Sequence, residues 1–473
     1  MTRVPIAERI QEYINKNCIY FCMPGHKMGR GFNRDEIGRS ILDNIITGDL
    51  TEVDGLDNLH KPEDVLSEEL ELLRKTYGAE KSYFLVNGST SGNMIMIFSA
   101  LEEKDKIIVE RNCHKSIMNG IILRKLKPVY VDPYNYDKYD TPLVPQEELI
   151  IDMMENNKDA KAIILTYPNY FGICFDLEKV IVKAKKLNMK IIIDSAHGAH
   201  FGFNERLPKS AVQLGADIVV VSAHKTLPSL TQTAYLHVNN INLVENVERY
   251  FSMFSSTSPS YLFMQSMAYS RYYLEKYGEK DYDYLIDICE SYKDKINKLK
   301  KFEVFYEDRS YISTDRTRYT ILVPEGYSGK KLYDYLISNN IQPEMSNHRC
   351  VVLILSYFNT KKEFQRLYQV LKDCEMERIK DKDNYKTLIC GISHTIKYLP
   401  YEAINMNKVS LKLEECKNRI CGTEIIPYPP GIPLLNPGEV ITEEAIDYIQ
   451  FCLNNNIQIL GVDKDKILVI ENN

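Results

Sequence analysis

The chain has 473 residues, 44% hydrophobic and 26% charged, which is ordinary for a soluble globular protein and long enough for two or three domains. A net charge of −6 argues against a general nucleic-acid binder, and no segment stays apolar for the ~18 residues a membrane helix needs. Eleven cysteines, an odd number without Cys-x-x-Cys pairing, fit reduced thiols in a cytoplasmic protein better than a disulfide framework or a zinc site.

The N-terminus, Met1 to Ile10, has no apolar signal core and predicts a short amphipathic helix. From residue 82 to 238 short apolar runs alternate with helical stretches. Ser82–Val86, Lys106–Val109, Pro128–Val131, Ala162–Thr166, Lys190–Ile193 and Ile218–Val221 read as strands. Met94–Leu101, Ser116–Leu126 and Leu177–Leu187 read as helices between them. Strands apolar throughout and separated by helices predict an α/β fold with a mainly parallel sheet covered on both faces. From about Tyr292 the pattern shifts to a smaller α+β region. It has strands at Phe302–Tyr306 and Tyr319–Val323, then helices around Lys330–Ser338 and Lys361–Lys372. The expected division is an N-terminal arm over 1–65, a large domain over 66–300 and a C-terminal region over 301–473. A polar connector near 375–394 splits the last of these into two subdomains. Ile425 to Pro433 is too proline-dense for a helix or a central strand.

Ligands of such sheets sit beyond the carboxyl ends of the strands, and polar, chemically capable residues collect there. Asn87-Gly88-Ser89-Thr90-Ser91-Gly92 follows the first strand and Arg111-Asn112-Cys113-His114 the second. Asp194-Ser195-Ala196-His197 follows the fifth, and Ser222-Ala223-His224-Lys225 the sixth. Lys225, beside a histidine and small hydroxyls, suits a Schiff-base nucleophile, although Ser-x-His-Lys taken alone reads equally well as an ordinary loop. Ser89, Thr90 and Ser91 at a helix start form an anion cradle or a plain helix cap. Asp194 suits a pyridinium nitrogen, or is a buried aspartate that caps a turn. His114 suits stacking on a heteroaromatic ring, or is a polar residue at a helix start. His197 and His200 lack the further ligands a zinc site needs, so no metal is expected.

Lys225, Asp194, the hydroxyl-rich turn and His114 stand in the order of a fold-type I pyridoxal-phosphate enzyme. More narrowly, the chain resembles the Orn/Lys/Arg decarboxylase family in its shorter bacterial form. The resemblance runs through Met23-Pro24-Gly25-His26-Lys27-Met28-Gly29 and Thr51 to His60. It continues in Asn87–Gly92, Arg111 to Ser116, Asp194 to Phe201, the Lys225 segment and Ile426–Pro433. It implies that Lys225 holds pyridoxal 5'-phosphate covalently and that Ser89, Thr90, Ser91, Ser222 and His224 lie at its phosphate. His114 stacks on the ring, Asp194 pairs with the ring nitrogen, and Ala196 and His197 flank it. In this family the site lies at a dimer interface. The resemblance accordingly implies a homodimer or higher oligomer, in which Thr257 and Ser258 reach the neighbour's phosphate. Glu344 is the implied acidic partner of the substrate's distal cation.

Three departures stand out. The chain begins almost directly at the Pro-Gly-His motif, so the N-terminal wing of longer relatives is expected to be absent and decamer formation is in doubt. Glu63-Asp64-Val65-Leu66 replaces a glycine-containing stretch, and the sequence has no Trp. The implied reaction is decarboxylation of a basic L-amino acid, arginine first, then lysine or ornithine, in polyamine synthesis or acid resistance. Lys225 or His224 would protonate Cα. Transamination on the same scaffold and a catalytically inactive decarboxylase-binding regulator are the alternatives.

Overall fold

A computed structural model describes residues 3–133, 135–136, 141–142, 144–306, 312–381, 394–428, 433–454 and 457–471. At its centre is a seven-stranded sheet. Its strands in chain order are β1 (Lys81–Leu85), β2 (Lys106–Glu110), β3 (Lys127–Val131), β4 (Ala162–Thr166), β5 (Lys190–Asp194), β6 (Ile218–Val221) and β7 (Ala234–Val238). The spatial order is β1-β7-β6-β5-β4-β2-β3. β6, β5, β4, β2 and β3 run parallel, while β7 is antiparallel to both β6 and β1. The six strands read from apolar runs are present, with ends shifted by a residue at most. The seventh was not anticipated. It enters between the first and sixth strands after a short loop in place of a crossover helix.

The apolar runs become strands because both faces of the sheet are packed. Ile107, Ile163, Ile191, Ile192, Val220 and Leu236 are among its fully buried side chains. The helix Gly88–Ala100 lies so close to the sheet that a Cβ on Gly92 would stand 2.5 Å from Val220 and 2.6 Å from Leu85. Glycine at 92 thus lets this helix seat its N-terminus at the strand ends. The predicted N-terminal helix spans Pro5–Asn15 and buries none of its residues.

A four-stranded sheet follows: β8 (Glu303–Phe305), β9 (Arg318–Leu322), β10 (Met345–Ser346) and β11 (Cys350–Ile354), in the order β8-β9-β11-β10. Helices Gly329–Ser338 and Lys361–Asp373 accompany it. The second ends the predicted run one residue late and opens on a capping box from Thr360 and Glu363. Its buried face shares one continuous core with the large sheet. The last described residues build a separate core of Leu413, Ile425, Leu435, Ile441, Ile449 and Val469 around a three-stranded sheet. Most of the predicted connector, 382–393, lies outside the described residues, as do 429–432 of the proline-dense run. Ile426–Tyr428 of that run forms a strand paired with Gln458–Leu460.

The N-terminal arm reaches the site through backbone pairing. Ile19–Phe21 runs parallel to Ile341–Pro343. The following Pro-Gly-His turn then packs on the Lys225 turn, where the Gly25 N–H donates to the His224 carbonyl at 2.8 Å. A Cβ on Gly25 would come within 2.5 Å of the Leu227 carbonyl oxygen, so the motif's glycine is required by this close approach.

Candidate active site

The carboxyl ends of β1, β2, β5 and β6 bring most of the predicted residues to one edge. Lys225 sits on the single turn Ala223–Thr226 that follows β6. Its amine lies 3.0 Å from His197 Nε2. Desolvation lowers the Lys225 pKa to about 8; Asp194 and Glu344 act against this and Arg318 with it.

Asp194 closes β5 and is 2% exposed. Its oxygens accept from Asn93 Nδ2 at 2.8 Å and from the Ala196 N–H at 3.1 Å. The same Asn93 amide donates to Ser116 Oγ at 2.8 Å, and Ser116 Oγ lies 2.7 Å from His114 Nδ1. Asn93 therefore ties the aspartate to the histidine across two helices. His114 is exposed and caps the helix Lys115–Leu123, accepting from the Ser116 N–H. Desolvation lowers its pKa, outweighing Asp194, so the imidazole is neutral near pH 7.

The turn after β1 is built to receive an anion. Asn87 makes no side-chain cap to the helix Gly88–Ala100, leaving its first amides free of that partner. Ser222 Oγ donates to Ser89 Oγ at 2.9 Å, which sets two hydroxyls from separate strand ends side by side. Thr90 is exposed beside them. Ser91 turns back instead, its hydroxyl donating to the Gly88 carbonyl at 2.8 Å. His224 lies 2.9 Å from the Thr233 carbonyl, to which its Nδ1–H donates. These features fit pyridoxal phosphate. Hydroxyls at a helix start suit the phosphate, and a buried carboxylate without a cation in ion-pair distance among the described residues suits a protonated ring nitrogen.

Glu344 follows the strand Ile341–Pro343. It accepts from the Tyr170 hydroxyl at 2.6 Å and from the Met23 N–H at 2.9 Å. The Tyr170 ring is edge-on to His197, with centroids 4.8 Å apart. His197 is also met by Arg318, whose Nη1 donates to His197 Nδ1 at 3.2 Å and to the Tyr170 carbonyl at 2.7 Å. Sequence reasoning missed Asn93, Tyr170 and Arg318. His200 turns away from the cluster, with Nε2 3.1 Å from Asp315. Thr257 and Ser258 are exposed, on a segment anchored by the Ser256 N–H donating to Asn87 Oδ1 at 2.9 Å. Among the described residues they join no other predicted site residue.

Comparison with known proteins matches the chain to one family. The profile of the Orn/Lys/Arg decarboxylase major domain matches residues 4–323, and that of the family's C-terminal domain matches 395–465. An uncharacterized Bacillus subtilis protein, YaaO, is 34% identical, with 98% of this chain and 97% of that protein covered. An arginine decarboxylase of Halalkalibacterium halodurans is 31% identical over 98% of this chain and 96% of its own. Among solved structures, the Francisella novicida lysine decarboxylase LdcF superimposes with a TM-score of 0.80 at 22% identity, covering 95% of this chain and 78% of that one. The large sheet is thus that of a fold-type I pyridoxal-phosphate enzyme. The chain belongs to the Orn/Lys/Arg decarboxylase family, as a decarboxylase with pyridoxal phosphate as its cofactor.

Proposed function

We propose that the chain converts L-arginine to its amine and carbon dioxide, with lysine second and ornithine third in preference. The observation that carries the choice is Glu344, whose two oxygens are each held by one neutral donor. No Lys, Arg or His lies within ion-pair distance of it among the described residues. Fixed on both oxygens, the carboxylate suits a planar guanidinium that can bond it bidentately better than a single ammonium. The arginine decarboxylase named among the relatives supports arginine as the first choice.

When bound, pyridoxal phosphate supplies an electron sink for the pair released at Cα. Asp194 holds a proton at the ring nitrogen, a task for which its two donors fix its orientation. Neutral His114 covers the ring without adding charge. Glu344 anchors the far end of the substrate, which orients the bonds at Cα. Lys225, as its ammonium, would supply the proton that Cα gains where carbon dioxide leaves, which returns Lys225 to the neutral amine. His224 is less suited, because its Nδ1–H is engaged by the Thr233 carbonyl.

Carbon dioxide release from arginine, lysine and ornithine tests this reading directly. The highest kcat/KM is expected for arginine, and a higher value for lysine or ornithine overturns the assignment. Conversion with an amino acceptor and no carbon dioxide would point to transamination. Glu344→Gln removes a charge-assisted contact of about 1.5–3 kcal/mol. It is therefore expected to raise KM for arginine by about 10–100-fold with kcat less affected. Asp194→Ala is expected to retain some bound cofactor but to lose about 10²–10³-fold in kcat, as removal of a preorganised electrostatic partner does elsewhere. Near-normal turnover would remove Asp194 from its role.

A second copy of the chain completes this proposal. Thr257 and Ser258 are exposed beside Asn87, and the arm helix exposes Ile6, Ile10 and Ile14. Both features suit burial against a neighbouring subunit.

A further inference from the structure

Two hydrogen bonds in series end on the Lys225 amine, and their order fixes where the protons sit. A guanidinium has donors only. Arg318 Nη1, 3.2 Å from His197 Nδ1, must donate to that nitrogen. A ring nitrogen that accepts cannot carry the hydrogen, so the hydrogen of neutral His197 lies on Nε2. Burial foremost, with the Arg318 guanidinium also alongside, drives the His197 pKa well down and keeps the ring neutral. The Nε2–H then points at Lys225 Nζ, 3.0 Å away. An ammonium has no lone pair to accept it, so the amine that completes the bond is neutral.

Arg318 is rigidly placed for this task. It is 1% exposed and crosses from β9 of the second sheet, with Nη1 shared between His197 and the Tyr170 carbonyl. Gly172, at φ +78°, lies close beneath it; a Cβ there would stand 3.0 Å from Arg318 Cβ. The Nε and Nη2 atoms of Arg318 are buried without a hydrogen-bond partner among the described residues. No carboxylate lies within ion-pair distance of it there. A buried cation left unneutralised is costly, and its field disfavours a second cation at Lys225. The charged and titratable groups facing Lys225 are Asp194 and Glu344, which favour its ammonium, and Arg318, His197, His114 and His224, which do not. Lys27, also buried, faces Glu344 and Arg318 from the Pro-Gly-His turn.

We propose that Arg318 is a positioning residue that fixes the tautomer of His197 and, through it, sets the free amine of Lys225 as a hydrogen-bond acceptor ready to capture an aldehyde. The proposal rests on the reading of Lys225 as the cofactor-holding amine. It gives His197 and Arg318 a role in each cycle, since Lys225 must be a nucleophile again every time the product is released. A lysine at its ordinary pKa near 10.4 would offer the neutral amine only about once in 10³ molecules at pH 7.

Competitive acetylation of the apoenzyme with acetic anhydride, quantified on the Lys225 peptide across pH, reads the amine itself and not turnover. The wild type is expected to titrate near pH 8. Arg318→Met, without charge or donor, is expected to shift the midpoint up by about one unit or more. Arg318→Lys, which keeps the cation and a donor, is expected to restore it. His197→Phe keeps the cation but removes the relay, and is expected to shift the midpoint upward by less; it decides the matter if Arg318→Met does not fold. A wild-type midpoint at the ordinary lysine value, or equal midpoints in wild type, Arg318→Met and His197→Phe, overturns the proposal. Borohydride trapping of the holoenzyme separates the two readings. Label on another lysine refutes the cofactor assignment, whereas label on Lys225 with unmoved midpoints refutes only the relay.

Discussion

Lys225→Ala is expected to purify without the visible absorbance of covalently held cofactor and without measurable release of carbon dioxide. The amine is delivered by β6 to the middle of the cluster, 3.0 Å from His197 and facing both Asp194 and Glu344. No other described lysine stands there. Lys27 is buried but donates to the Cys22 and Ile354 carbonyls, and so faces the backbone. Removing the Lys225 amine leaves the hydroxyl turn and Asp194 intact, so the cofactor can still associate without a covalent bond. An ultraviolet–visible spectrum with a carbon dioxide assay checks both losses. A variant with the wild-type visible band and substantial decarboxylation would remove Lys225 from the chemistry.

The parts of this site that were legible in sequence lie at strand ends. The strands before them are unmistakable runs such as Ile191-Ile192-Ile193 and Ile218 to Val221, buried on both faces. A parallel sheet sends every such strand end to one edge, so Ser89, His114, Asp194 and Lys225 could be grouped without coordinates. β7 escaped notice because Ala234–Val238 mixes Tyr and His into its apolar run. The structure buries those two side chains through specific partners. Tyr235 donates to the Met267 carbonyl at 2.7 Å, and His237 Nδ1 lies 2.9 Å from Ser82 Oγ. Arg318 and Tyr170 were invisible for a different reason. Arg318 lies 121 residues from His197 and arrives from another sheet, so only tertiary packing brings them together. Asn93 sat in plain view immediately before the predicted helix Met94–Leu101, five residues after Gly88, and the observed helix places it one turn in. Its side-chain direction, towards Asp194 and Ser116, is a property of how closely that helix seats on the sheet. The turn of the Ser91 hydroxyl back to the Gly88 carbonyl is equally a matter of local helix geometry that residue spacing does not fix.

Glu439→Ala is expected to destabilise the protein by about 3–5 kcal/mol, by stranding a buried guanidinium. Arg111 follows β2 on the loop that carries His114, and its side chain is 5% exposed. It meets Glu439 of the C-terminal core bidentately, Nη1 to Oε1 at 2.8 Å and Nη2 to Oε2 at 2.7 Å. Nη2 also donates to His394 Nδ1 at 2.8 Å, and the Asn436 N–H donates to Glu439 at 2.9 Å. Burial by itself would raise the Glu439 pKa. His394 and Arg111 beside it outweigh burial and bring the group to about 2, from an ordinary 4.5. A carboxylate with a depressed folded pKa stabilises the fold above its unfolded value, and that contribution is lost as pH falls from about 4.5 to about 2. Urea unfolding at pH 7 and at stepwise lower pH is therefore expected to show the wild type losing its advantage over Glu439→Ala within that window. The double variant Arg111→Met/Glu439→Leu replaces both charges with apolar volume and is expected to recover most of the stability at pH 7. Because the same arginine anchors the His114 loop, the single variant is also expected to bind pyridoxal phosphate more weakly. Equal stability of Glu439→Ala and wild type at pH 7 would mean that the C-terminal core does not brace the His114 loop through this ion pair.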